Sequence, residues 1–151
     1  MAQQTIGAAP LQTRPAAALT THEALKTPAR QAYEALHWGF VAAPVLAGAD
    51  KFFDLMTDWD AYLARPFARL SPLSPHRTML AVGAVEIAAG LVVAARPKVG
   101  GWVVAGWLAG IIANLAARGR AWDIALRDVG LLLGAVALAR LAAARERGEI
   151  A

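Results

Sequence analysis

The sequence contains four long apolar runs, each with a length that suits a helix crossing a membrane. They cover residues 36–56, 78–95, 99–117 and 124–144. A helix needs about 20 residues to cross ~30 Å of hydrocarbon at ~1.5 Å per residue. Only 17% of the chain is charged, whereas a soluble domain carries about a quarter. The runs predict an all-α integral membrane four-helix bundle; the alternative, a soluble bundle, would need broader polar stripes.

The parts of the chain outside these runs are more polar. Residues 1–27 are rich in Ala, Thr, Gln and Pro without a sustained period, which predicts a flexible polar N-terminal tail. Thr27 and Pro28 suit the N-cap and first position of a helix. We therefore expect helix 1 to begin there, a transmembrane domain over residues 28–145, and a short C-terminal tail over 146–151.

The first connection between the runs is longer than the others and amphipathic. Trp59 and Tyr62 carry rings that favour a membrane interface. Arg65 and Arg69 follow four residues apart, among apolar neighbours. This pattern predicts a short interfacial helix lying on the bilayer surface.

The basic residues favour an orientation with both chain ends in the cytoplasm, following the positive-inside rule. The predicted cytoplasmic segments hold Arg14, Lys26, Arg30, Arg96, Lys98, Arg145 and Arg147. The opposite side holds Arg65, Arg69, Arg77, Arg118 and Arg120. The bias is modest, and it predicts a multi-pass membrane protein with its N-terminus and C-terminus on the cytoplasmic side.

Ionisable residues interrupt the apolar runs at one common level. Because successive helices alternate in direction, residues late in runs 1 and 3 lie at the same membrane face as residues early in runs 2 and 4. Ionisable groups within a bilayer usually point into the bundle and pair with one another. We therefore predict a buried polar cluster, for binding or proton exchange, made of Asp50, Lys51, Glu86, Asn114, Arg127 and Asp128.

Glu86 is the candidate proton carrier of this cluster because it is the deepest carboxylate and has no charged neighbour in sequence. Full ionisation of the cluster leaves one negative charge uncompensated, and an unpaired buried carboxylate takes up a proton. The alternative is that the cluster holds four helices together. Lys51 can also extend toward the interface, and Asp50 can be solvated there.

Two pairs of glycines have the spacing of a helix-packing motif. Gly106 and Gly110 lie in the third run, and Gly130 and Gly134 in the fourth. Small residues four apart allow two helix backbones to approach closely. We expect these four glycines at helix–helix contacts.

Several chemistries are excluded or disfavoured by the sequence. The chain has no Cys, which excludes disulfides and cysteine nucleophiles. Its three histidines are not placed as a pair of haem ligands, and we predict no metal site. The charge of +4 is distributed beside the apolar runs and does not form the basic patch of a nucleic-acid-binding protein.

Three segments resemble the DoxX-like family of small four-helix membrane proteins. They are "HWGFVAAPVLAGADKFFD" at 37–54, "AVGAVEIAAGLVV" at 81–93 and "DIALRDVGLLLGAVALA" at 123–139. Their short motifs are Gly-x-x-Lys-Phe, Glu-x-x-x-Gly and Arg-Asp-x-Gly, in that order. The resemblance implies a membrane protein of bacteria or archaea, associated in some members with thiosulfate:quinone oxidoreductase or other redox complexes. With this resemblance, we expect the chain in the bacterial inner membrane.

Two functions remain open from the sequence. In the first, the chain is a membrane subunit or scaffold of a respiratory or redox-linked complex, with the polar cluster as a structural element and other subunits or further copies as partners. In the second, the chain itself binds a quinone or another small solute in the cluster. Catalysis is left open by both, and quinone is the one cofactor that the resemblance suggests.

Overall fold

The structure, a computed structural model, describes residues 16–119 and 121–150. For residues 16–27, 67 and 70 it describes the backbone only. Every regular element in this part of the chain is helical, which confirms the all-α prediction. The elements are α1 (Ala16–Asp50), a 3₁₀ helix (Trp59–Tyr62), α2 (Arg65–Leu70), α3 (Pro75–Ala95), α4 (Pro97–Arg118) and α5 (Trp122–Glu146).

The four long helices pack as two pairs. α1 lies mainly against α3, and α4 lies mainly against α5, while a smaller contact between α3 and α4 joins the pairs. Arg96 alone separates α3 from α4, and Pro97 begins the new helix at a position where its missing N–H is not needed. Gly119, with a φ of 69°, ends α4 in the left-handed conformation that glycine adopts most readily.

Both ends of α1 differ from the prediction. The helix runs from Ala16 through Thr27 and Pro28, so these two residues are not its start. Residues 16–26 include helix formers such as Ala, Leu, Glu and Lys, which extend the helix beyond the local cap signal. Residues 1–15 of the predicted tail lie outside the described residues.

The C-terminal end of α1 is at Asp50, six residues before the predicted end at Met56. The chain then turns, and Asp54 has a φ of 49°. Lys51 therefore lies just beyond the helix, not inside it. The short helix predicted in the first loop is present as α2, preceded by the 3₁₀ turn.

Glycines mediate the closest approaches between the helices, but mostly not the predicted ones. Gly106, Gly110 and Gly130 have open space where a Cβ would stand, so within the described chain they make no close packing contact. Gly134 does pack against α1, since a Cβ added there would stand 3.2 Å from the Phe40 ring. The tight contacts are made instead by Gly48, Gly83 and Gly90 between α1 and α3, by Gly100 between α4 and α3, and by Gly101 between α4 and α5.

The apolar core lies in the half of the bundle away from the first loop. Val93 and Leu138 are its largest fully buried side chains, and Tyr33, Val104 and Leu108 pack around them. By length and composition, α3 and α4 are the two helices in the described part of the chain that could cross a membrane.

Candidate functional site

A buried ion pair joins the end of α1 to the middle of α3. Lys51 Nζ lies 2.6 Å from Glu86 Oε2, and the two side chains are 4% and 9% exposed. The lysine side chain turns back along α1, so that Nζ also lies 3.4 Å from the carbonyl oxygen of Ala47. The prediction that Glu86 lacks a charged partner is therefore wrong, because sequence distance does not show which side chains a fold brings together.

Trp59 covers this ion pair from the first loop. Its ring centroid lies 3.7 Å from Lys51 Nζ, which is a cation–π contact. An ammonium group has three N–H donors, and the contacts of Lys51 are with the Ala47 carbonyl, the Glu86 carboxylate and this ring. The Lys51 ammonium thus has three partners within the protein itself.

Asp50 fixes the loop that carries Trp59. Its Oδ2 accepts a hydrogen bond of 2.7 Å from the indole Nε1 of Trp59. The same carboxylate accepts bonds of 3.2 Å from the backbone N–H groups of Leu55 and Met56. Asp50 is buried, and its role in the structure is to hold the first loop over the ion pair.

Asn114, on α4, holds the next part of the same loop. Its Nδ2 donates to the carbonyl oxygen of Tyr62 at 2.9 Å, and its Oδ1 accepts from the N–H of Ala64 at 3.0 Å. One amide side chain can make both bonds because it carries a donor and an acceptor. Asn114 therefore joins the first loop to α4 through two hydrogen bonds.

The remaining predicted residues, Arg127 and Asp128, form a separate group on α5. Arg127 Nε and Nη2 both donate to Asp128 Oδ1 at 3.2 Å. The Asp128 side chain is 5% exposed, whereas that of Arg127 is 68% exposed. The structure thus divides the predicted cluster. Lys51 and Glu86 meet directly, and Asp50 is joined to them through Trp59, while Arg127 and Asp128 pair with each other.

Two cavities adjoin the ion pair. The first, of about 360 Å³, is bounded by the first loop, α3 and α4, and Thr78, Val82 and Asn114 contribute to its wall. The second, of about 430 Å³, is bounded mainly by α1, α4 and α5, and Arg127 and Asp128 contribute to it. Five residues line both cavities: Lys51, Trp59, Glu86, Trp107 and Ile111.

Trp59 and Trp107 line both cavities, although neither was predicted to belong to the polar cluster. Trp59 was predicted at the membrane interface, and Trp107 received no role. A signal for Trp107 was present, because Trp107, Ile111 and Asn114 follow at i, i+4 and i+7 and therefore share one face of α4. All three line the first cavity.

The walls of both cavities are largely apolar. Lys51 and Glu86 lie where the two cavities meet, and Arg127 and Asp128 line the second cavity alone. Such a site can hold an apolar molecule and can orient it through a few polar groups. We found no significant match to this chain among family models, curated proteins or solved structures.

Proposed function

We propose that this chain is an integral membrane protein that binds a small apolar molecule in the two cavities beside the Lys51–Glu86 pair. The observation that carries the proposal is the shared wall: two apolar cavities meet at one buried, charge-compensated pair. Pockets of this kind, with convergent polar groups in an apolar lining, are typical ligand sites.

The membrane location is supported by the outer surface of the bundle. Large apolar side chains are exposed on all four long helices, including Leu46 on α1, Leu91 on α3, Trp102 on α4 and Leu133 on α5. Soluble monomers rarely display extended apolar surface, because water contact with it is unfavourable. Lipid contact around the whole bundle accounts for this surface, including that of α1 and α5.

We propose the orientation with both chain ends in the cytoplasm of a bacterial cell. Arg96 connects α3 to α4, Lys98 lies in the first turn of α4, and Lys98 Nζ lies 2.8 Å from Glu146 Oε2 at the end of α5. Arg145 and Arg147 add further positive charge at that end. Supporting this, basic residues close to the ends of spanning helices favour the cytoplasmic side.

A quinone is one molecule with the required properties, and the resemblance to the DoxX-like family suggests it. It has an apolar ring and carbonyl oxygens that accept hydrogen bonds. In the predicted polar cluster, Lys51 and Arg127 carry the N–H groups that can donate to such an oxygen. The contacts of Lys51 within the protein speak against that role in this conformation.

A second candidate function is that of a subunit or scaffold in a membrane redox complex. The polar groups of the cluster bond to protein groups, as in a purely structural cluster. The exposed apolar residues of the first loop also favour this function. Phe53, Leu55 and Met56 are 70%, 83% and 74% exposed. A partner subunit or a second copy could cover them.

Purification in a mild detergent, followed by native mass spectrometry and solvent extraction, tests the two candidates. Ligand binding predicts a bound lipophilic molecule in the wild-type protein and its loss in Ile111→Trp, where the new ring fills space that lines both cavities. Val103→Trp is the matched control, since Val103 is exposed on the same helix. Co-purifying subunits without any small molecule would instead favour the scaffold.

A further inference from the structure

The turn that follows α1, residues 52–56, begins well along α3 and not beside its start. A Cβ added to Gly83 would stand 3.2 Å from the Phe52 ring, so this ring lies next to Gly83. Gly83 is eight residues beyond Pro75, at which α3 begins. Eight residues of helix extend for ~12 Å. The turn therefore begins at a level that α3 reaches only after about two of its helical turns.

In the membrane proposed above, this level lies below the lipid headgroups. The last charged residue of α3 before Gly83 is Arg77, six residues earlier, and six residues of helix extend for ~9 Å. A charged side chain near the end of a spanning helix extends to the headgroups. With Arg77 at that layer, the Phe52 ring stands ~9 Å deeper, beside the acyl chains.

The backbone of the turn suits a position without water, because five successive N–H groups are bonded within the protein. Those of residues 52–54 donate to carbonyl oxygens at the end of α1, at 3.0, 3.0 and 2.7 Å. Those of Leu55 and Met56 donate to the Asp50 carboxylate. Among acyl chains no water is available to accept such bonds, so backbone donors there must be bonded internally. The N–H groups of the turn meet this requirement.

The exposed side chains of the turn are apolar, with one exception that limits its depth. Asp54 is exposed at the centre of the turn. A carboxylate surrounded by acyl chains is unfavourable, so that of Asp54 must keep contact with water or headgroups. The turn therefore suits the boundary between the acyl chains and the headgroups. Its exposed apolar residues are Phe52, Phe53, Leu55 and Met56.

We infer that the turn is a membrane anchor, which inserts Phe53, Leu55 and Met56 among the acyl chains just below the headgroups. This inference rests on the proposed membrane location and goes beyond the ligand site, since it assigns a lipid surface to a segment outside the helices. Leu46, exposed one helical turn before the end of α1, makes the lipid-facing surface continuous with the turn. Asp50 bonds to the turn and to Trp59, so the anchor also holds the residue that covers the ion pair.

Spin labels on single cysteines, which the Cys-free chain permits, test the inference in phosphatidylcholine liposomes. Electron paramagnetic resonance of a nitroxide at Leu55→Cys measures its collisions with oxygen, which concentrates in lipid, and with a nickel chelate, which stays in water. We expect the ratio of oxygen to nickel collisions to exceed that at Leu73→Cys several-fold. Leu73 is exposed in the connection just before α3. Met56→Cys, at a second exposed position of the turn, should give the same result.

Two results at the turn would overturn the inference. Frequent nickel collisions at both Leu55→Cys and Met56→Cys, as at Leu73→Cys, would place the turn in water. Few collisions with either reagent, together with an immobilised spectrum, would show that protein covers the turn instead. That cover would be a second copy of the chain or a co-purified subunit.

Val85→Cys separates a failure of this inference from a failure of the proposed membrane location. Val85 is exposed near the middle of α3, so its label should meet oxygen and not nickel if α3 spans the bilayer. If the Val85 label lies in lipid and the labels of the turn do not, the anchor alone is refuted. If the Val85 label also meets nickel, the membrane location and the anchor both fail.

Discussion

Gly48 and Gly83 face each other where α1 crosses α3. A Cβ on Gly48 would stand 2.5 Å from the carbonyl oxygen of Gly83, and a Cβ on Gly83 would stand 2.6 Å from that of Gly48. Lys51 follows Gly48 by three residues, and Glu86 follows Gly83 by three. The absence of both side chains brings the two backbones into contact, and this closeness allows the buried ion pair to form.

We predict that Gly83→Ala destabilises the protein by about 1–3 kcal/mol, because the added methyl group must push two helix backbones apart. Gly106→Ala is the control: its Cβ meets open space, and alanine favours a helix over glycine by about 0.5–1 kcal/mol. Thermal unfolding in detergent, followed by circular dichroism, measures both. Equal melting temperatures for the two variants would contradict the backbone contact.

We predict that Lys51→Met or Glu86→Gln alone costs about 3–5 kcal/mol, since each leaves one buried group without its charged partner. The double variant should cost less than the sum of the two, which a double-mutant cycle in detergent measures. The exposed pair of Lys98 and Glu146 is the control and should contribute about 0–1 kcal/mol. Additive costs for Lys51 and Glu86 would show that the pair does not act as a unit.

We predict that Trp59→Phe loosens the first loop without removing the ring over Lys51. The substitution deletes the 2.7 Å bond from the indole to Asp50, and a hydrogen bond to a charged group contributes about 1.5–3 kcal/mol. Limited trypsin digestion should cut faster after Arg69, whereas Pro66 blocks cleavage after Arg65. Trp38→Phe, at a residue exposed on α1, should be digested at the wild-type rate. An unchanged digestion rate in Trp59→Phe would show that its hydrogen bond to Asp50 does not hold the first loop in place.

We predict opposite labelling of two single-cysteine variants, a test that the Cys-free chain makes simple. In intact bacterial cells, a membrane-impermeant maleimide should label Leu73→Cys in the first connection and should spare Lys98→Cys in the first turn of α4. Permeabilised cells should label both. Labelling of Lys98→Cys alone in intact cells would indicate the opposite orientation. Labelling of both variants in intact cells would contradict the proposed placement of the two positions on opposite sides of the membrane.

The sequence predicted the later helices well and the first one poorly. The predicted runs 78–95, 99–117 and 124–144 lie within α3, α4 and α5, because Pro97 and Gly119 mark the ends of the helices unambiguously. For α1, hydropathy continued to Met56, while the backbone turns after Asp50, whose carboxylate binds the following N–H groups. Hydropathy reports what surrounds a segment and does not report where its backbone turns.

The sequence predicted which residues belong to the candidate site better than it predicted which of them contact one another. Lys51 and Glu86 were placed at one level, but their direct contact depends on Gly48 and Gly83, which the search for glycines four apart did not select. Gly83 and Gly90 are seven apart, two helical turns, and so lie on the same face of α3 toward α1. Which face of a helix meets a neighbour depends on the packing of the whole bundle.

α1 is longer than a bilayer is thick, so its N-terminal part extends beyond the membrane. Its 35 residues extend for ~52 Å, which is ~20 Å more than the ~30 Å thickness of the hydrocarbon layer. In the proposed arrangement Asp50 lies near one surface, so the opposite end, at Ala16, projects into the aqueous phase as a helical stalk. A soluble protein that meets the chain there would contact it at a distance from the lipid headgroups.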